Sequence, residues 1–145
     1  MTQFSALFLT TAVEVPVALV FALGMGVFAP PAAMADLDSE PGSEERVKVY
    51  DAVKGELRRR FWKLLFTASL MSFVTHPFLW NGVLWWIDRG WDYTTGVVLM
   101  EILVMLVEAA MLRTGVPLGW SQALIISFAA NGASWGTGWL IYMLK

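Results

Sequence analysis

The chain has 145 residues, 57% of them hydrophobic and 15% charged, with a formal net charge of −2 and a mean hydropathy of +0.60. A soluble domain of this length carries more charge and less apolar surface. The absence of cysteine excludes disulfides and thiolate metal sites, and with no basic patch interleaved with aromatics there is no case for nucleic-acid binding.

The first span is predicted over about 8–28. A cleaved signal peptide is the competing reading, since AAMA at 32–35 resembles a small-residue cleavage site. Against it, MTQF carries no positive side chain, the apolar run is too long, and Glu14 interrupts it. Pro16 cannot donate to the carbonyl of Ala12, so a carboxyl group and a loosened backbone fall within one turn. Thr10 lies one turn earlier on the same face.

Residues 29–46 read as a Pro-, Gly-, Ser- and acid-rich linker. From Glu44, Val47, Tyr50, Val53 and Leu57 recur at helical spacing, which predicts a juxtamembrane amphipathic helix running into span two through Arg58, Arg59 and Arg60. The arginines serve as a topology anchor in the ordinary reading. Binding of lipid headgroups is the sharper one.

Span two is predicted over about 61–87, with His76-Pro77 near its middle and Trp80, Trp85 and Trp86 toward its end. Ser69, Ser72 and His76 share one face. Pro77 deprives the carbonyl of Phe73 of its donor, so a kink is expected. Span three covers 94–112 and carries Glu101 and Glu108 inside an apolar run. Seven residues is nearly two turns, so both acids share a face. Span four covers 120–144, where Ser127, Asn131, Ser134 and Gly138 form a stripe suited to close packing and interhelical hydrogen bonds.

These elements predict an all-α fold: a polytopic transmembrane four-helix bundle, one membrane domain over 1–145, with a short cytoplasmic amphipathic helix between spans one and two. Arg46, Lys48, Lys54, Arg58, Arg59, Arg60, Lys63 and Arg113 fall on one side, against Arg89 and Lys145 on the other. The positive-inside rule then puts the richer side in the cytoplasm of a plasma (inner) membrane and both termini outside.

Depths estimated from the span centres bring Glu14, His76, Glu101 and Asn131, with Ser134, to one level near mid-membrane. Glu108 falls about two turns closer to the cytoplasm on the same estimate. One unpaired charge at the bilayer centre costs about 2.5 kcal/mol or more. The acids and the imidazole are therefore expected to cluster, to be hydrated, or to carry protons. Glu14 and Glu101 favour a functional role, because a neutral amide would serve a structural one at lower cost. Glu108 could instead face a water-filled vestibule. His76 beside Pro77 could be a kink device, and Asn131 and Ser134 packing groups.

Three functions fit. The first binds or moves a proton, cation or small substrate through the Glu14, His76, Glu101, Glu108, Asn131 and Ser134 cluster. Glu14, His76 and Glu101 are then candidate metal ligands, although no HxxxH or ExxH spacing supports a metal. Four spans are few for a pore, so this reading implies a homo-oligomer. The second is an accessory or assembly subunit of a larger membrane complex, its polar cluster pairing with a partner's helices or holding a pigment or haem through His76. The third is an intramembrane enzyme with Glu101 as base, His76 as acid or metal ligand and Asn131 as oxyanion or headgroup donor. No GxSxG, HExxH or paired-Asp motif accompanies it.

The stretches TTAVEVPV at 10–17, THPFLW at 75–80, Glu101, Val107-Glu108 and AANGAS at 129–134 together resemble the pattern of small uncharacterised four-span membrane proteins of prokaryotes. The resemblance touches all four spans and implies no particular activity, substrate or cofactor.

Overall fold

The computed structural model describes residues 3–29 and 44–144. Among the described residues four α-helices make up the fold: α1 Gln3–Gly24, α2 Glu44–Ile87, α3 Tyr93–Gly115 and α4 Trp120–Met143. Among the described residues there is no strand. Positions 30–43 of the expected linker, with the AAMA segment, lie outside the described residues. The expected amphipathic helix and span two are one helix of 44 residues. Pro77 does not end it, and the Asn81 amide donates to the Pro77 carbonyl at 2.8 Å.

The helix ends follow from local chemistry. Asp92 caps α3, accepting from the Thr95 N–H at 2.8 Å and from its hydroxyl at 2.9 Å. Gly90 turns the chain between α2 and α3 at φ +74, a left-handed conformation that L side chains rarely adopt. The indole of Trp91 packs edge-on against Trp86, with ring centroids 4.2 Å apart. The Trp86 N–H reaches the Asp92 carbonyl at 3.1 Å, closing the corner. At the other end of α3 the Val116 N–H returns to the Leu112 carbonyl, and Pro117 cannot continue the helix. Gln122 then accepts from the Gly119 N–H at 2.9 Å to open α4.

Each helix packs against two neighbours in the cyclic order α1, α2, α3, α4. Neighbours run antiparallel. Thr10 meets His76 and Arg60 meets Val27 across α1 and α2. Thr75 meets Glu108, and Thr67 lies against Gly115, across α2 and α3.

The apolar core fills one end of the bundle. Ala18, Ala22, Leu64, Ala68, Met71, Leu112 and Ile126 are all fully buried there. Next to it, in the middle of the bundle, the buried side chains are polar: Glu14, Ser72, Thr75, Glu108, Ser127 and Asn131. The outward faces are apolar instead, with Phe66, Phe73, Phe78, Phe128 and Trp135 exposed. That distribution inverts the soluble pattern of an apolar inside and a charged outside.

Ser5–Gly24 and Tyr93–Gly115 are long and apolar enough to cross a membrane, and only 28% of the most apolar window of each is buried. On the same measure α2 and α4 fall short. Their tryptophans, glycines and hydroxyls dilute the hydropathy that α1 and α3 concentrate in Leu and Val.

Candidate functional site

Two neighbouring clusters make up the polar layer. In the first, Glu108 of α3 is fully buried. Its Oε1 accepts from the Thr75 hydroxyl of α2 at 2.8 Å. Its Oε2 accepts from the Asn131 amide and, at 3.3 Å, from the Ser127 hydroxyl, both on α4. In the second, Glu14 of α1 is 1% exposed, and its Oε2 accepts from the Ser72 hydroxyl of α2. One turn along, the Thr10 hydroxyl lies 2.9 Å from His76 Nε2 and accepts from the Ser134 hydroxyl at 3.2 Å.

Three hydroxyls of the layer that touch a carboxyl oxygen also have a backbone carbonyl within reach. Ser72 reaches the Ala68 carbonyl at 3.2 Å. Thr75 reaches that of Met71 at 2.8 Å, and Ser127 that of Met105 at 2.9 Å. A hydroxyl carries one hydrogen and two acceptor lone pairs. It can donate to a carboxylate, or accept from a carboxylic acid while its own hydrogen turns to the backbone. All three hydroxyls are thus supplied for both protonation states of the acid beside them.

Glu14 Oε1 and His76 Nδ1 are buried and make no hydrogen bond. Since Ser134 donates to Thr10, the hydrogen of Thr10 is free for His76 Nε2, which puts the imidazole hydrogen on Nδ1. The opposite tautomer makes Nδ1 an unused acceptor. These two atoms are buried hydrogen-bonding positions that the layer leaves uncommitted.

Of the expected site residues, the layer holds Glu14, His76, Glu108, Asn131 and Ser134. Glu101 takes another position. It is half-buried and lines a recess of about 290 Å³ between α3 and α4, with Val98, Met105, Phe128, Gly132 and Trp135 around it. Among the described residues it makes no hydrogen bond. Glu108, expected two turns away from the common level, is the acid that pairs with α2 and α4. Gly138 leaves the α4 stripe and borders open space.

Thr75 is the participant that span-by-span reading missed. The short α2–α3 turn brings together residues at nearly equal distances from Trp91, and Thr75 and Glu108 are such a pair. Counting outward from the turn would have found it.

No three His, Asp or Glu side chains among the described residues stand close enough to hold a metal ion. The candidate ligands Glu14, His76 and Glu101 are therefore not assembled as a set. Outside the layer, two exposed acids have clear electrostatics. Glu56 is held below the usual carboxylate range by hydrogen bonds from Arg60 and then Arg59. Asp92 is held low by the backbone N–H and then the hydroxyl of Thr95. Compared with known proteins, the chain matches no family model, no curated protein and no solved structure.

Proposed function

We propose that the chain is a four-span membrane protein whose buried carboxyl groups, Glu14 and Glu108, bind and exchange protons. Membrane insertion of α2 and α4 is supported by their outward faces. Phe66, Phe73 and Phe78 on α2, and Phe128 and Trp135 on α4, face outward as the apolar faces of α1 and α3 do. The Lys and Arg excess at the end bearing Arg58–Lys63 and Arg113 supports a cytoplasmic placement of that end in a plasma membrane, with both termini outside.

One observation carries the functional reading: Ser72, Thr75 and Ser127, whose hydroxyls bond Glu14 or Glu108, each have a second acceptor in the backbone. Apart from His76, no side chain of the layer can carry positive charge, so proton binding is the available means of charge balance in a medium where unpaired charge is costly.

The apolar core at the Arg-rich end closes the layer on that side. On the other side stands the Thr10, His76 and Ser134 rung, beyond which α2 buries Leu79 and Val83. The layer is a proton-binding station that exchanges with the outer face past these two side chains, and passage across the membrane requires the apolar core to part.

The test is proton uptake by the purified protein in liposomes containing a pH-sensitive dye, under an imposed potassium diffusion potential. The wild type is expected to move protons above the rate of empty liposomes, and Glu14→Gln and Glu108→Gln to abolish the excess. A wild-type rate equal to that of empty liposomes rejects transport.

A second reading, a homo-oligomer or a subunit of a larger membrane complex, is favoured by the outer face of α4. A side chain added at Gly132, Gly136 or Gly138 would meet nothing within 4 Å. Small residues spaced four apart on an open apolar face permit close approach of another helix.

A further inference from the structure

We infer that the Arg-rich end of the bundle holds an anionic phospholipid, with its phosphate between Lys63 and Arg113 and an acyl chain along Trp62 and Phe66. The inference rests on the four-span reading above, because it needs this end of the bundle at the membrane surface.

Two recesses meet there. The first, of about 340 Å³, is lined by Arg59, Arg60 and Lys63 of α2, by Arg113 in the last turn of α3, and by the turn that follows. Four cations from two helices therefore surround one space, against a single carboxylate, Glu56. That carboxylate is committed: it pairs with Arg59 at 2.6 Å and Arg60 at 3.0 Å. Arg60 also reaches the Val27 carbonyl at 3.4 Å, tying the end of α1 to α2. Lys63 and Arg113 are exposed and make no ion pair among the described residues.

The turn itself offers an anion little. The Thr114 hydroxyl is used on the Ala110 and Met111 carbonyls, the Val116 N–H on Leu112, and Pro117 has no N–H. Recognition there is by charge, which suits a phosphodiester of any headgroup shape.

The second recess, of about 600 Å³, shares Arg59 and Lys63 with the first and adds Arg58, Trp62 and Phe66. Trp62 is 59% and Phe66 69% exposed. Phe66 lies one turn further along α2, away from the charged end. Charge followed by exposed aromatic surface along one helix matches a headgroup followed by an acyl chain. A free phosphate would use only the first recess. The observations therefore favour the lipid.

The test uses protein reconstituted in phosphatidylcholine vesicles with a minor fraction of brominated phosphatidylglycerol or, in parallel, brominated phosphatidylcholine. Quenching of Trp62 is read as the difference between the protein and its Trp62→Phe variant. Stronger quenching by the phosphatidylglycerol is expected. Lys63→Gln and Arg113→Gln should each lower its relative affinity about fivefold, since a cation near an anionic headgroup is worth about 1 kcal/mol. Lys63→Arg should keep it. Equal quenching by the two lipids overturns the site alone, as does a preference that survives both glutamine variants. Relief of the preference by inorganic phosphate overturns the lipid in favour of a soluble anion. No quenching of any tryptophan by either lipid overturns the site and the four-span reading together.

Discussion

Replacing Glu108 with Leu distinguishes a layer with alternative hydrogen-bond partners from a rigid one. Three donors converge on Glu108, and a simple count would orphan all three. The geometry predicts less. Without Glu108, Thr75 keeps the Met71 carbonyl at 2.8 Å and Ser127 the Met105 carbonyl at 2.9 Å. Asn131 already spends one amide hydrogen on the Ser127 carbonyl at 2.9 Å, so only its second hydrogen loses its main acceptor and is left with the long contact to the Ser127 hydroxyl at 3.4 Å. One buried unsatisfied donor costs about 1–3 kcal/mol, and interhelical hydrogen bonds in membranes average about 0.6 kcal/mol. A loss of roughly 1–2 kcal/mol follows, well under the 3–5 kcal/mol typical of breaking a buried ion pair. Reversible unfolding in mixed micelles titrated with dodecyl sulfate measures it. Adding Asn131→Leu removes that amide, so the double variant should be no less stable than Glu108→Leu alone. A single-variant loss above about 4 kcal/mol, or a double variant clearly worse than the single, refutes the turning hydroxyls.

Three further outcomes are expected. A Cβ on Gly115 would sit 2.5 Å from Thr67 Oγ1 and 3.0 Å from its Cγ2. Because both branches of Thr67 face the added carbon, Gly115→Ala should destabilise by about 1–3 kcal/mol, and Thr67→Ala in the same chain should recover most of the loss in the micelle assay. Asp92 has a lowered folded value, so its cap contributes fully above the ordinary aspartate range and is lost as pH falls through that lower value. Thermal melts followed by circular dichroism should show this acid-side loss in the wild type and not in Asp92→Asn. Gly132→Leu and Gly136→Leu should abolish any oligomer seen by chemical cross-linking in the membrane while leaving the monomer's helix content unchanged. Persistence of the oligomer in both would remove the α4 face as its interface.

Helix positions were legible because their ends carry strong local signals. Asp92 before Tyr93 and Pro117-Leu-Gly119 before Trp120 put the starts of α3 and α4 within a residue of the expected spans. Glu14, His76 and Asn131 were legible as interior groups because polar atoms in an apolar run have few other places to go. The roles of Glu101 and Glu108 were not. Depth was counted from the span centres, whereas partners across a helical hairpin are set by distance from the turn. The expected span 94–112 stops three residues short of the end of α3 at Gly115, which moved the counted centre toward Glu101; about the centre of α3 itself the two acids lie almost evenly. Thr75 escaped notice for another reason: the polar face counted on α2 ran through Ser69, Ser72 and His76 and left it out. The backbone alternatives for Ser72, Thr75 and Ser127 depend on hydroxyl positions between helices, which spacing along one chain does not encode.

The most direct measurement of proton exchange is infrared difference spectroscopy of the reconstituted protein across a pH titration, following the carbonyl stretch of neutral carboxylic acid. A band that grows and fades reversibly with pH is expected in the wild type, losing separate components in Glu14→Gln and in Glu108→Gln. A spectrum with no pH-dependent carboxylic-acid band, or a band that both variants leave intact, would contradict a proton-exchanging layer.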